Sequence, residues 1–190
     1  MTKHRLEAFS DGVLAVAITI MVLEIKVPHG NDWAQILPLM PKFLSYVLSF
    51  IYLGIYWNNH HHMLHTLERV NGRILWANHH LLFWLTLIPF ATGWVGENHF
   101  TAIPIIAYSF VLLMCGIAYY ILQETIIASQ GPQSKLKLAV QGDWKGKASP
   151  LFYIVAMLVA PWLPSVAMLI LISVALIWLV PDRRIERTLN

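Results

Sequence analysis

The sequence predicts an all-α, polytopic membrane protein of six transmembrane helices, and three observations carry that prediction. First, 57% of its 190 residues are hydrophobic and 12% are charged, with a mean hydropathy of +0.59. A soluble domain carries about twice that charged share. Second, the apolar residues gather into six segments, near 6–27, 36–64, 74–95, 101–127, 149–163 and 165–181. The first four are each long enough to cross a hydrocarbon core of about 30 Å at about 1.5 Å per helical residue. Third, the basic residues are unevenly placed. With both termini cytoplasmic, the inside segments hold Lys3, Arg5, Arg69, Arg73, Lys135, Lys137, Lys145, Lys147, Arg183, Arg184 and Arg187, eleven of the thirteen Lys and Arg. Only Lys26 and Lys42 lie outside, as the positive-inside rule expects for an N-in, C-in chain. The last two segments are short and meet at the Pro161-Trp162-Leu163-Pro164 corner. Joining them into one span would carry Arg183 and Arg184 outside, so they count as two.

The first segment opens on Arg5-Leu6-Glu7-Ala8-Phe9-Ser10-Asp11-Gly12 and continues apolar to Pro28. Arg5, Glu7 and Asp11 interrupt its start and no small-residue cleavage site follows, which argues against a signal peptide. A short outside loop around His29–Trp33 leads to the second segment, which ends in Tyr56-Trp57-Asn58-Asn59-His60-His61-His62-Met63-Leu64-His65. Glu68–Arg73 is a tight inside connection. The third segment has Asn78-His79-His80 near its start, and Pro89-Phe90 and Gly93-Trp94 toward its outer end. Glu97-Asn98-His99 forms the next outside turn, and a broadly apolar fourth segment ends near Glu124-Thr125. Residues 128–148 turn polar, with Gly131-Pro132 and four lysines, and read as a cytoplasmic linker within one membrane domain spanning 1–190. The tail from Asp182 to Arg187 reads as a solvated end near anionic headgroups. The one cysteine, Cys115, excludes an internal disulfide and reads as core packing.

The first helix has two distinct sides. On a helical wheel starting at Val16, Ile20 lies about 40° to one side, Leu23 about 20° to the other and Thr19 about 60° away. Gly12 and Phe9 join this stripe, whereas Ser10 and Asp11 point roughly opposite. In most helices such a stripe packs against lipid or core. If copies of the helix meet at a symmetry axis, the stripe instead lines a pore. Rings of Val16, Ile20 and Leu23 would then form apolar constrictions that gate by dewetting, with Thr19 the one polar layer. Asp11 faces away and reads as a hydrogen-bonded structural carboxylate, since an acidic ring there would need the opposite rotation.

Arg5-x-x-x-Phe9-Ser10-Asp11 in the first helix, Trp57-x-x-His60-His61 in the second, and Asn78, Pro89-Phe90 and Trp94 in the third resemble the signature of the transmembrane protein 175 family of potassium channels. The likeness extends over all six segments, with the specific motifs in the first three. It implies a potassium-permeable cation channel without the usual filter, and the sequence contains no Thr-Val-Gly-Tyr-Gly loop. A single repeat implies a homotetramer, as in the bacterial members, with the first helix of each copy lining the pore. By position, Val16, Ile20 and Leu23 would form the constriction and Thr19 would sit one turn along; Val16 stands where a larger aliphatic is common, which widens the inner constriction. The resemblance also implies a structural hydrogen-bond network of Arg5, Ser10 and Asp11 with Trp57, His60 and His61. A buried carboxylate needs donors, and Arg, His and indole supply them. The implied partners are further copies of the chain, the lipid bilayer and permeant potassium, with no resident cofactor and no nucleic acid. A single repeat without a targeting sequence points to the cell membrane of a prokaryote.

His60, His61, His62, His65, His79 and His80 cluster at the cytoplasmic ends of helices two and three. The i, i+4 spacing of His61 and His65 suits a metal ion. The rival readings are therefore a divalent-metal transporter or a histidine-box membrane metalloenzyme. Against the enzyme, the boxes are few and lack regularly spaced carboxylates. Against the transporter, no helix repeats acidic ligands at mid-membrane. No catalytic residue and no metal site is assigned, and the histidines read as interfacial hydrogen-bonding groups, with a pH response as a second role. A scaffold without transport is the third reading, and it differs by predicting that Asn at Ile20 or Leu23 leaves ion flux unchanged.

Overall fold

Within a bilayer every backbone N–H and C=O must find a partner inside the protein, so a chain this apolar spans as helices or as a closed barrel. The computed structural model describes residues 2–29, 32–131 and 133–179. Among these residues every regular element is helical. Four stretches are long and apolar enough to cross a membrane, Lys3–Leu23, Trp33–His65, Gly72–Glu97 and Ala102–Gln130, and Pro164–Leu179 is a shorter apolar helix. The basic tail residues Arg183, Arg184 and Arg187 lie outside the described residues.

Helix α1 is Lys3–Leu23, ending four residues before the expected 27. Two 3-10 turns, Trp33–Gln35 and Leu37–Leu39, then lead into α2, Met40–His65. The expected single start at residue 36 is broken by Pro38 and Pro41, which cannot donate backbone hydrogen bonds. Pro41 falls in the first turn of α2, where a missing N–H costs nothing.

The expected third helix, 74–95, is two: α3, Gly72–Leu85, and α4, Ile88–Glu97. Pro89 has no N–H to offer the Leu85 carbonyl, and its ring crowds that oxygen. The backbone therefore tightens for one turn, with Leu87 N–H donating to Trp84 O at 3.1 Å. The start of α3 is capped by Asn71, whose Oδ1 accepts from Ile74 N–H at 2.9 Å.

Helix α5, Ala102–Gln130, ends at Gly131, whose φ of +89° suits glycine. The stretch 128–148 is not wholly a linker. It holds a short helix α6, Lys135–Ala139, and the first turn of α7, Trp144–Val159. Two of its polar residues are helix caps: Ser134 accepts from Lys137 N–H at 3.3 Å and Asp143 from Gly146 N–H at 3.2 Å. Leu136 is fully buried and Ala139 is also buried, so α6 is pinned to the bundle by two side chains. Helix α8, Pro164–Leu179, closes the described chain.

Helix α5 is the hub, packing against α3, α4, α7 and α8, while α1 packs against α2, α3 and α4. Leu112, Cys115, Ala118 and Leu122 of α5 are fully buried. Water cannot drive helix association inside lipid, so close backbone approach and interhelical hydrogen bonds carry it. Gly96 shows the first: a Cβ there would stand 2.8 Å from Lys42 Cα and 2.6 Å from Ser45 Oγ. A cluster of hydroxyls shows the second. Thr92 of α4 donates to Ile88 O at 2.7 Å and lies 2.5 Å from Ser49 of α2, whose Oγ meets the Tyr108 hydroxyl of α5 at 2.8 Å. Near the same end of the bundle Lys42 and Glu97 pair at 2.9 Å.

Candidate functional site

The faces of α1 separate as its sequence period requires. Leu6, Ser10, Leu14, Ala17 and Met21 are buried and hold the helix to the bundle. On the other side Val16 is 56% exposed, Ile20 44% and Leu23 77%, with Thr19 also exposed. The four pore-lining candidates thus share one uncovered face of the subunit. The Thr19 hydroxyl lies 3.0 Å from both Ala15 O and Val16 O, so its proton is directed into its own helix. Gly12 continues this face, and a Cβ there would meet no neighbouring helix within 4 Å.

Behind that face the six proposed network residues fall into two groups and one outlier. In the first group His60 Nε2 lies 2.7 Å from Asn78 Oδ1, Asn78 Nδ2 donates to Ser10 Oγ at 3.0 Å, and Ser10 donates to Leu6 O at 2.9 Å. Every link runs in one direction, from His60 to the Leu6 carbonyl, which requires a proton on Nε2 of His60. All three side chains are buried. Their chain ties α2, α3 and α1 together at one level.

The second group is Asp11 and Trp57. The indole Nε1 donates to Asp11 Oδ1 at 3.0 Å, and the His61 ring stacks on Trp57 with centroids 6.0 Å apart. Trp57 is 45% exposed, so this pair sits at the edge of the subunit. Arg5 is exposed and has neither a hydrogen bond nor an ion pair to any described residue. Asn78 is the member that sequence reasoning left out of the network. It carries both bonds that join Ser10 to His60, and its signal was an amide beside His79 and His80 in the first half of α3.

The remaining histidines are dispersed. His79 pairs with Leu75 O through Nδ1 at 2.7 Å and stacks on Phe9, and His80 Nε2 accepts from Trp84 Nε1 at 3.0 Å. His61 and His65 stack with centroids 6.3 Å apart. Among the described residues no three His, Cys, Asp or Glu side chains gather around a point that could hold a metal.

Comparison with known proteins gives these features a context. Residues 5–89 match the family model described as endosomal/lysosomal potassium channel TMEM175. The chain is 54% identical over 190 residues to a potassium channel of Chryseobacterium sp. (strain P1-3), covering all of this chain and 99% of that one. It is 33% identical over 123 residues to a potassium channel of Streptomyces collinus, covering 60% of each. The fold superposes with a TM-score of 0.83 and 25% identity on the crystal structure of a lysosomal potassium-selective channel TMEM175 homologue from Chamaesiphon minutus, covering 95% of this chain and 97% of that one. Full-length identity above one half, and a motif-bearing first helix inside the matched region, place the chain in the TMEM175 family, a family of ion channels and not of enzymes.

Proposed function

We propose that the chain is one subunit of a potassium-permeable channel of the cell membrane, a homotetramer in which α1 of each copy lines a central pore. The observation that carries this reading is the uncovered face of α1. Val16, Thr19, Ile20 and Leu23 stand together on the side that the subunit's own helices leave open. The buried side is fastened by Leu6, Ser10, Leu14, Ala17 and Met21. Four such faces around an axis would stack apolar rings above and below one ring of hydroxyls, a geometry that gates by wetting and drying. Potassium is then the permeant ion, and the chain supplies no resident cofactor.

In this reading α1, α2, the α3–α4 pair, α5, α7 and α8 are six spans of one domain, with both termini cytoplasmic. The Lys and Arg distribution supports that orientation. The bacterial sources of the full-length relative and of the structural neighbour support a bacterial membrane. The His60–Asn78–Ser10 chain and the Asp11–Trp57 pair support and orient the pore helix from behind.

The test is potassium and sodium flux into proteoliposomes, wild type beside Ile20→Asn and Leu23→Asn. A polar ring hydrates an apolar constriction, so both variants are expected to conduct more, or with altered selectivity. Unchanged flux in both would remove α1 from the pore. Light scattering of the purified protein tests the tetramer, with four subunits expected.

A further inference from the structure

A cavity of about 640 Å³ opens between α2, α5 and α7, bounded by α6 and the turn after it. Its volume is that of a site for a ligand of several hundred daltons, in the range of about 300–1,000 Å³. It stands apart from the α1 face and shares no residue with it. Its lining includes buried Tyr153, half-buried Tyr56 and the more exposed Ile117, and toward solvent, at its mouth, it carries Glu124, Lys137 and Lys147, with Asp143 engaged as the cap of α7.

Two features narrow the ligand. Three of the tyrosine hydroxyls around the cavity wall are already committed: Tyr52 donates to Leu171 O at 2.6 Å, Tyr119 to Asn59 O at 3.2 Å and Tyr56 to Leu112 O at 3.5 Å. That wall therefore offers ring faces and methyl groups more than hydrogen bonds. At the mouth, by contrast, the side chains of Glu124, Lys137 and Lys147 have neither a hydrogen bond nor an ion pair to any described residue. Two cations suit a phosphate, and the carboxylate suits a donor attached to it, an ammonium or a hydroxyl. The apolar wall beyond them lies between membrane-spanning helices and suits hydrocarbon.

We propose that this cavity binds a glycerophospholipid, with the phosphodiester at Lys137 and Lys147, the headgroup donor at Glu124, and an acyl chain along Ile117 and the tyrosines. The inference rests on the chain spanning a bilayer, and on the orientation argued above the lipid comes from the cytoplasmic leaflet. It does not depend on which helix lines the pore.

Native mass spectrometry of the delipidated full-length protein tests it. The probes are dioleoyl phosphatidylethanolamine, dioleoyl phosphatidylglycerol, glycerol 3-phosphate as the head alone and dioleoylglycerol as the tail alone. Wild type is expected to retain the phospholipids and to release both fragments. The double variant Lys137→Gln, Lys147→Gln is expected to bind phospholipid about thirtyfold more weakly, from loss of the attraction two basic side chains exert on an anionic headgroup. Ile117→Trp, which fills the cavity without touching its charges, is expected to weaken phospholipid binding as well. Equal phospholipid binding by wild type and the lysine variant would overturn the site. Glycerol 3-phosphate bound as tightly as phospholipid, with no effect of Ile117→Trp, would overturn the lipid assignment in favour of a free phosphate. Unchanged melting temperature and elution volume serve as the fold control, and Ile117→Phe replaces Ile117→Trp where the larger ring prevents folding. Binding is read without ion flux, so failure here and failure of the pore reading are distinguishable.

Discussion

At the scale of single residues, the one-way chain from His60 through Asn78 to Ser10 concentrates the polar cost of the interior on one amide. Asn78 supplies an acceptor to one neighbour and a donor to the other. Replacing it with Ala strands His60 Nε2 in a buried site, at about 1–3 kcal/mol, and also removes the donor to Ser10 Oγ, which keeps its own bond to Leu6 O. Asn78→Ala is therefore expected to lower the melting temperature more than Ser10→Ala, which strands only the Asn78 amide. Thermal unfolding in detergent checks that order. Asp11→Ala should behave differently. Its partner Trp57 is half open to the surroundings, so the isolated subunit should lose little stability. If the pair also braces neighbouring copies, the variant weakens the proposed tetramer, and light scattering at falling protein concentration measures this. The Phe9-Ser10-Asp11 motif was legible in the sequence as a polar interruption of an apolar helix. The part played by Asn78 was not, because it depends on which turn of α3 faces α1, and that is a matter of packing.

At the scale of elements, two misreadings share a cause: short-range backbone chemistry overrode the apolar pattern. Hydropathy runs on smoothly through Thr86–Pro89, yet proline chemistry divides the helix there. Between 128 and 148 the polar residues suggested a linker, and the stretch holds more helix than that reading implied: Ser134 and Asp143 are caps, and caps are polar because they replace missing backbone partners. The contact of α2 with α4 gives a prediction at this scale. Gly96→Ala would push a methyl group against the Lys42 backbone, which cannot swing aside as a side chain can. The expected cost is about 1–3 kcal/mol, typical of overpacking. A melting temperature equal to wild type would show that α2 and α4 separate easily.

At the scale of the whole molecule, the apolar segments and the two-sided character of α1 were readable because both follow from period and composition. The central place of α5 was not, since an evenly apolar helix gives no sign of which neighbours surround it. That hub has a practical consequence through Cys115, the chain's one cysteine, which is fully buried within it. The native molecule should be inert to water-soluble thiol reagents, so any cysteine introduced elsewhere becomes the sole labelling site with no background to remove. In reconstituted protein, Val16→Cys and Leu23→Cys are expected to react with a charged methanethiosulfonate, and Leu14→Cys and Ala17→Cys to resist it. The chain arrives, in effect, already prepared for an accessibility map of the proposed pore, one residue at a time.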